Sequence, residues 1–171
     1  MTLEAQKRSP IRSILIICIA LIFIVACSIG VTLTVSGGAM FAGKRPTNLG
    51  IESGKLTPCP STPNCVNSQD QDAQHQIDPL TYKSTPAKAI ADLKTVIENM
   101  EKTKIITETD NYLYAEFTTK LMGFVDDVEF LLDEGANVIQ VRSASRLGQS
   151  DLGVNRQRVE TIRAKFNELQ S

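Results

Sequence analysis

Hydrophobic positions divide the chain into an apolar N-terminal run and a longer region of regular periodicity. The run from Ile14 to Val35 contains 22 residues without a charge. At about 1.5 Å per residue, a helix of that length reaches roughly 33 Å, enough to cross a hydrocarbon core about 30 Å thick. The pattern predicts a transmembrane helix or signal anchor over residues 14–36, preceded by a cytoplasmic tail at residues 1–13.

Two segments have the period of an amphipathic helix. Residues 85–100 place apolar side chains on one face, with Thr85 as N-cap and Pro86 at the first helical position. A last helix is predicted at about residues 156–169, with Asn155 as its N-cap. The inward positions of the two helices are Ile90, Leu93, Ile97 and Met100 in the first, and Val159, Ile162, Phe166 and Leu169 in the second.

Between these helices the period changes to that of strands. Four strands are predicted, at about residues 104–109, 112–119, 124–133 and 137–145, and the connections are short enough for antiparallel hairpins. In the third strand Val128 and Phe130 alternate with Asp127 and Glu129, which predicts one buried and one polar face. The segment "QIDPLTY" adds a short edge strand, because Pro79 cannot donate to a ladder.

The resulting order, β-α-β-β-β-β-α, predicts an α+β domain with one antiparallel sheet packed on helices. This order resembles the TATA-binding-protein-like or helix-grip class, whose fold does not determine function. We assign residues 76–171 to this domain and residues 37–75 to a glycine-rich linker and a cysteine loop.

The apolar run has two interpretations. The sequence "IVAC" at residues 24–27 resembles a lipoprotein processing site, which would leave Cys27 lipidated. However, "SIGVTLTV" continues the apolar run beyond Cys27, which favours an uncleaved anchor. Three basic residues precede the run and two follow it: Lys7, Arg8 and Arg12 before, Lys44 and Arg45 after. This bias predicts a single-pass membrane protein whose C-terminal domain lies in a periplasm or lumen.

The loop "LTPCPSTPNCVNSQ" holds Cys59 and Cys65 among three prolines. Outside the cytoplasm a disulfide is the simplest interpretation of such a pair. A redox-active or ligand-binding thiol pair and a zinc site are the alternatives, although the chain has a single histidine, His75. We expect His75 to be a solvated loop residue, and we predict no metal site.

A cluster of arginines follows the third strand. If the core face is as assigned, pairing across "DEGAN" places Arg142 near Asp127 or Glu129. Arg146 lies further along the same face, and we expect it to be exposed, beyond the reach of those acidic residues. Arg156 and Arg158 begin the last helix, where the macrodipole disfavours cations and an anion is needed.

The anion has two possible origins. It is either part of the protein, with Asp126, Asp127, Glu129 and Asp151 as candidates, or a bound phosphate or carboxylate. The cluster is accordingly either a structural network or a binding site. Our candidate residues for a ligand or partner are Arg142, Ser143, Ser145, Arg146, Asp151, Asn155, Arg156, Asp127 and Glu129. No catalytic residue is predicted, because no serine of the cluster has a histidine near it in sequence.

Three blocks of sequence together resemble a known family: "RPTNLGIESGKLTPCPSTPNCVNSQ", "GFVDDVEFLLD" and "VRSASRLGQSDLGVNRQRVE". Over roughly residues 45–170 the chain resembles domain-of-unknown-function family 1499. The resemblance implies an exported or membrane-anchored protein of bacteria or plastids. It implies no activity.

We therefore expect an extracytoplasmic binding module for a protein partner or a small anionic or amphipathic molecule, without a cofactor. The alternatives are a carrier of an amphipathic ligand in a helix-grip cavity and a hydrolase using the Asp/Arg/Ser cluster. After residue 43 there are 15 basic and 18 acidic residues, a net charge of −3, which makes nucleic acid an unlikely partner.

Overall fold

The computed structural model describes residues 14, 16–26 and 41–170. The chain forms two compact units, Met1–Gly37 and Gly38–Ser171. In the first unit, residues 14 and 16–26 are helical and form α1. Among the described residues, no helix combines the length and the apolarity that a bilayer crossing requires. The predicted tail at residues 1–13 and all of residues 27–36, including Cys27, lie outside the described residues.

The second unit is an α+β domain built on antiparallel strands. A small hairpin, β1 (Ile51–Glu52) with β2 (Lys55–Leu56), forms a two-stranded sheet of its own, and the other strands form a six-stranded sheet. The sheet strands are β3 (Cys65–Asn67), β4 (Leu80–Thr81), β5 (Thr103–Glu108), β6 (Tyr112–Thr118), β7 (Val125–Asp133) and β8 (Val138–Ser145). Their order is β3-β8-β7-β6-β5, and β4 pairs with the first half of β8.

Helix α2 begins with the N-cap that its sequence predicts, whereas helix α3 does not. Helix α2 (Pro86–Glu98) has the predicted cap, because Thr85 Oγ1 accepts from the Lys88 amide at 3.3 Å. Helix α3 (Val154–Leu169) begins after Gly153, whose φ of 82° suits a residue without a Cβ. The predicted N-cap Asn155 is wrong. It lies in the first turn, and Asp151 accepts from the Asn155 amide at 2.7 Å instead.

The main core lies between one face of the sheet and the two helices. The predicted inward residues of β7 and β8 meet those of α2 and α3 there, except that Leu169, at the end of α3, is exposed and its predicted inward position is wrong. Phe130, Val141, Leu93, Ile162 and Phe166 are all fully buried. Burial of one such side chain stabilises the fold by about 1.5–3 kcal/mol. The alternation in the sequence therefore identified this face correctly.

The other face of the sheet is not the solvent-facing polar surface that we predicted. Every residue of β7 except Asp133 is buried, because the segment before β3 folds across this face. Leu56 packs there with Tyr112, Tyr114 and Leu131. We had assigned this segment as linker and cysteine loop, and we call its described part, residues 41–75, the lead-in. The lead-in thus contributes the hairpin β1–β2 and strand β3 to the domain. It has no hydrophobic period, so its role in the domain could not be predicted from the sequence.

Candidate functional site

An arginine network occupies the sheet face that the lead-in covers. Arg146 Nε donates to Asp127 Oδ2 at 2.9 Å, and its Nη2 donates to Asp127 Oδ1 at 2.6 Å and to Glu116. Arg45, from the lead-in, donates to the same Glu116 carboxylate at 2.8 Å. Tyr114 adds its hydroxyl, which donates to Asp127 at 2.5 Å. Three strands and the lead-in therefore meet in one charge-balanced cluster.

Ionisation in this network follows from its contacts. Hydrogen bonds to Asp127 and Glu116 outweigh burial and raise the pKa of Arg146. Burial alone would raise the pKa of Glu116, but the hydrogen bonds from Arg146 and Arg45 outweigh it and lower that pKa. Burial, followed by the hydrogen bond to Asp127, raises the pKa of Tyr114. All these groups are therefore held in their neutral-pH charge states.

Arg142 is the arginine with unused donors. It lies directly opposite Glu129 in the β7–β8 register, and its Nη1 donates to Glu129 Oε2 at 3.2 Å. A guanidinium has five N–H donors, yet this is its single hydrogen bond to the described residues. Its Nε is buried without a partner among them. The side chain is only 8% exposed, and Nε is the donor that has neither a partner nor contact with solvent.

The Glu129 carboxylate has more hydrogen-bond partners than the Arg142 guanidinium. Its Oε1 accepts from the Tyr112 hydroxyl at 2.7 Å and from the Gly50 amide at 2.6 Å. The carboxylate is completely buried. Burial, followed by the hydrogen bond to Glu129, raises the pKa of Tyr112. The positive member of the Arg142–Glu129 pair is thus the one that still needs acceptors.

A surface cleft of about 500 Å³ opens beside Arg142. Its walls come from the cysteine loop and from the end of β8. Three prolines of the lead-in supply apolar surface: Pro46, Pro58 and Pro60. Asn64, Ser145 and Arg146 add polar groups, while Asp127 of the network supplies a carboxylate. The cleft therefore combines an arginine with unused donors, three proline rings and several further polar groups.

The disulfide between Cys59 and Cys65 shapes one wall of this cleft, and the predicted pairing is confirmed. Cys65 begins β3, which pairs with β8, so the bridge ties the loop to the sheet edge. Asn64 fixes the same loop from the other side, because its Nδ2 donates to the Gly148 carbonyl at 2.8 Å. The cysteine loop is thus a fixed wall of the cleft.

The predicted site residues separate onto two faces of the sheet. Asp127, Glu129, Arg142 and Arg146 share the lead-in face. Ser143, Ser145 and Asn155 lie on the helix side, where Ser143 Oγ donates to Asn155 Oδ1 at 2.6 Å and Asn155 Nδ2 donates to Ser145 Oγ at 2.9 Å. Ser145 also lines the cleft beside Arg142, but Ser143 and Asn155 do not.

The helix-side group is a structural network around Asn155. This residue is fully buried, and its Nδ2 also donates to the Asn64 carbonyl at 3.0 Å. Arg158 donates to Asn155 Oδ1 at 2.6 Å and pairs with Asp126. The anions required near the start of α3 are therefore Asp126 and Asp151, and both belong to the protein. Arg156 donates to the Gln74 carbonyl at 3.1 Å, away from both networks.

Two expectations about single residues are wrong. Arg146 is not exposed: its side chain is 6% exposed and pairs with two carboxylates. A long side chain reaches the diagonal position on the neighbouring strand, which we had considered out of range. His75 is buried, because its Nδ1 meets Asp72 at 2.8 Å and its Nε2 meets the Thr62 carbonyl at 3.2 Å.

Asp70, Asp72 and His75 have potential ligand atoms within 4.8 Å of one another. Both carboxylates already have protein partners, because Asp70 accepts from the Cys59 amide at 3.0 Å and Asp72 pairs with His75. These contacts fold the segment that leads from β3 to β4. The cluster is therefore explained by contacts that stabilise this loop.

Sequence reasoning missed Glu116, Arg45, Tyr112 and Tyr114. Glu116 and the two tyrosines alternate along β6, on the face opposite its core residues, so period 2 contained the signal. Arg45 lies in the irregular lead-in, which offers no periodic signal.

The fold and site define a class of protein: an α+β domain with an antiparallel sheet that carries a buried arginine network on each face. A family model described as "Protein of unknown function (DUF1499)" matches residues 55–166, and the chain belongs to this family. A comparison with curated proteins finds no match.

Proposed function

We propose that the protein is a membrane-anchored, extracytoplasmic binding module that holds a small organic carboxylate in the cleft beside Arg142. One observation carries the proposal: Arg142 is buried, borders the cleft, and has donors without acceptors among the described residues. A buried donor without an acceptor costs about 1–3 kcal/mol, more for a charged group. A ligand carboxylate would supply the missing acceptors.

The ligand class follows from the walls of the cleft. A carboxylate matches the guanidinium fork, because two parallel N–H donors meet two oxygens. The rings of Pro46, Pro58 and Pro60 favour an apolar body attached to that carboxylate. Asp127 is bound to Arg146 and does not compete for Arg142. The proposed ligand is therefore a monocarboxylate with an apolar part of a few carbon atoms.

The proposed location rests on the sequence and on the disulfide. The uncharged run at residues 14–35 has the length of a bilayer crossing. A disulfide persists in oxidising compartments, which agrees with a domain outside the cytoplasm. Retention of the chain in membranes after alkaline carbonate washing supports the anchor, and release opposes it. An acylated N-terminal Cys27 would identify a lipoprotein instead, and protease digestion of the domain from the cytoplasmic side would reverse the orientation.

The other two functions receive less support from the described residues. A carrier of the helix-grip kind needs a cavity between sheet and helices, but Phe130, Val141 and Phe166 fill that region and are fully buried. A hydrolase needs an accessible nucleophile. Ser143 is fully buried, and the contacts of His75 are Asp72, Thr62 and Gln74. Neither arrangement favours these activities.

The test uses the full chain in a non-ionic detergent, with benzoate as probe and benzamide as its neutral analogue. Arg142→Gln is compared with Arg158→Gln, since Arg158 is equally buried and pairs with a β7 carboxylate on the opposite face. We expect calorimetry to show benzoate binding that Arg142→Gln weakens about tenfold or more, since a hydrogen bond to a charged group contributes about 1.5–3 kcal/mol. Arg158→Gln should keep binding.

Equal binding of benzoate by both variants, or equal binding of benzamide and benzoate, would contradict the proposal. Native mass spectrometry of the chain taken from its own membrane supplies the second measurement. A retained small acid that is lost in Arg142→Gln would identify the ligand. Absence of both benzoate binding and a retained ligand would leave a water-filled cleft as the better account.

A further inference from the structure

Large apolar side chains are exposed on the loops at one end of the domain. The turn between β6 and β7 carries Leu121, which is 94% exposed, and Met122. The connection from β8 to α3 carries Leu152, also 94% exposed, together with Leu147. We call these four residues the apolar end. Two leucines this exposed on adjacent loops are a feature that folding alone does not explain.

Strand pairing brings the two loops together. Asp126 at the start of β7 pairs with Ser145 at the end of β8, and the Arg146 amide donates to the Val125 carbonyl at 3.2 Å. Between the loops lies an apolar depression of about 240 Å³, lined by Phe124, Leu147, Leu152 and Val154 among others. Phe124, which follows the first loop, and Leu147 and Leu152 of the second therefore border the same depression.

The opposite end of the sheet is polar. There the β7–β8 turn consists of residues 134–137, "EGAN", and the β5–β6 turn contains Asp110 and Asn111. Strand β7, nine residues long, separates the two ends by about 30 Å at about 3.3 Å per residue. The two most exposed leucines, Leu121 and Leu152, therefore lie at the same end of the domain.

The apolar end is also where the chain enters the domain. The Phe41 ring packs on Phe124, with ring centroids 5.3 Å apart. The uncharged apolar run ends at Val35, so only residues 36–40 separate it from Phe41. Fully extended, the six Cα–Cα steps from Val35 to Phe41 span at most about 22 Å. A bilayer that holds the run must lie within that distance of the apolar end.

We infer that the apolar end inserts into the interfacial layer of the bilayer that holds the N-terminal segment. Leu121, Met122, Leu147 and Leu152 enter the acyl boundary, and two lysines beside them stay at the headgroups. Lys44 and Lys120 occupy those positions in the sequence, and the Lys120 ammonium pairs with exposed Glu101 on the surface. The inference rests on the proposed anchor and adds an orientation for the domain on the membrane.

The chain has no tryptophan, so a single introduced tryptophan reports its own position. The full-length variants Leu121→Trp and Leu152→Trp, with Glu134→Trp as control at the polar end, are reconstituted into phosphatidylcholine–phosphatidylglycerol vesicles. Part of the phosphatidylcholine is then replaced by its brominated form, which quenches tryptophan within the bilayer. All three substituted positions are exposed, so folding should be preserved.

We expect Leu121→Trp and Leu152→Trp to emit at shorter wavelength than Glu134→Trp and to lose most of their intensity to brominated lipid. Quenching of these two no stronger than that of Glu134→Trp, in a chain that floats with the vesicles, would overturn the inference and leave the anchor intact. A blue shift without quenching, growing with the protein-to-lipid ratio, would assign the surface to a second copy of the chain and overturn it. A chain that does not float with vesicles would remove the anchor and this inference together.

Discussion

Arg146 reaches diagonally across β7 and pairs with Asp127, its Nη2 lying 2.6 Å from Asp127 Oδ1. The same guanidinium also pairs with Glu116 of β6, so one side chain links three neighbouring strands. This contact is the centre of the network on the lead-in face. It makes Arg146 a structural residue and leaves Arg142 as the arginine with free donors.

Replacement of Arg146 by alanine should therefore destabilise the fold strongly. It leaves Asp127 buried without its cation, and loss of one partner of a buried pair costs about 3–5 kcal/mol. The matched control is Arg45→Ala, which removes a half-exposed partner of the same Glu116 and should change stability little. Denaturant unfolding of both variants measures the difference. Similar stabilities of the two would show that the Arg146 network contributes little.

Asn155 should be as important on the helix side. Its amide joins the Asn64 carbonyl, Ser143 and Ser145, and it has no exposed surface. Asn155→Ala strands these buried groups, so we expect a loss of about 2–3 kcal/mol, since each unsatisfied buried group costs about 1–3 kcal/mol. Asn167→Ala, on an exposed position of the same helix, should stay within about 0.5 kcal/mol of the parent. A thermal midpoint for Asn155→Ala equal to that of Asn167→Ala would contradict this role.

The regular elements were predictable because their periods are strong. The four long strands and α2 begin and end within about two residues of their predicted bounds. That Arg142 would lie near Asp127 or Glu129 also followed from the choice of core face and a short turn, and the register of the structure selects Glu129. The covered second face was not predictable, since residues 41–64 have neither helical nor strand period. Asn155 resembled a cap because side-chain type alone does not distinguish a cap from a buried hydrogen-bonding centre.

The disulfide should stabilise the domain modestly. Cys59 and Cys65 are six positions apart, and closing so short a loop contributes about 2 kcal/mol in the loop-entropy model. Both thiols should resist alkylation until reductant is added. The double variant Cys59→Ala/Cys65→Ala should fold, lose about 2 kcal/mol, and bind benzoate more weakly because the cleft loses its fixed wall. Rapid alkylation of both cysteines in freshly isolated protein would argue against the bridge.

Acid should weaken the fold through Glu116. The pKa of this carboxyl is lowered below its usual value of 4.5 in the folded chain. A lowered folded pKa gives stability that is fully present above the unfolded pKa and is lost as the pH falls through the folded pKa. We therefore expect the unfolding free energy to decline below about pH 4.5. Glu116→Gln should be less stable at neutral pH and should show a shallower decline; an unchanged slope would assign the acid sensitivity to other carboxyls.

Alkaline titration should show that all three tyrosines resist ionisation. Burial is the largest cause that raises the pKa of Tyr82, Tyr112 and Tyr114 above the usual 10.0. A raised folded pKa gives stability that is fully present below the unfolded pKa and is lost as the pH rises through the folded pKa.

Since the chain contains three tyrosines and no tryptophan, phenolate absorbance reports these groups alone. We expect little phenolate at pH 10.0 in the folded chain, and its appearance together with loss of circular dichroism at higher pH. The urea-unfolded chain is the control and should titrate near 10.0. Half-ionisation at pH 10.0 with an unchanged dichroism spectrum would show that the phenols are accessible and would contradict the buried network.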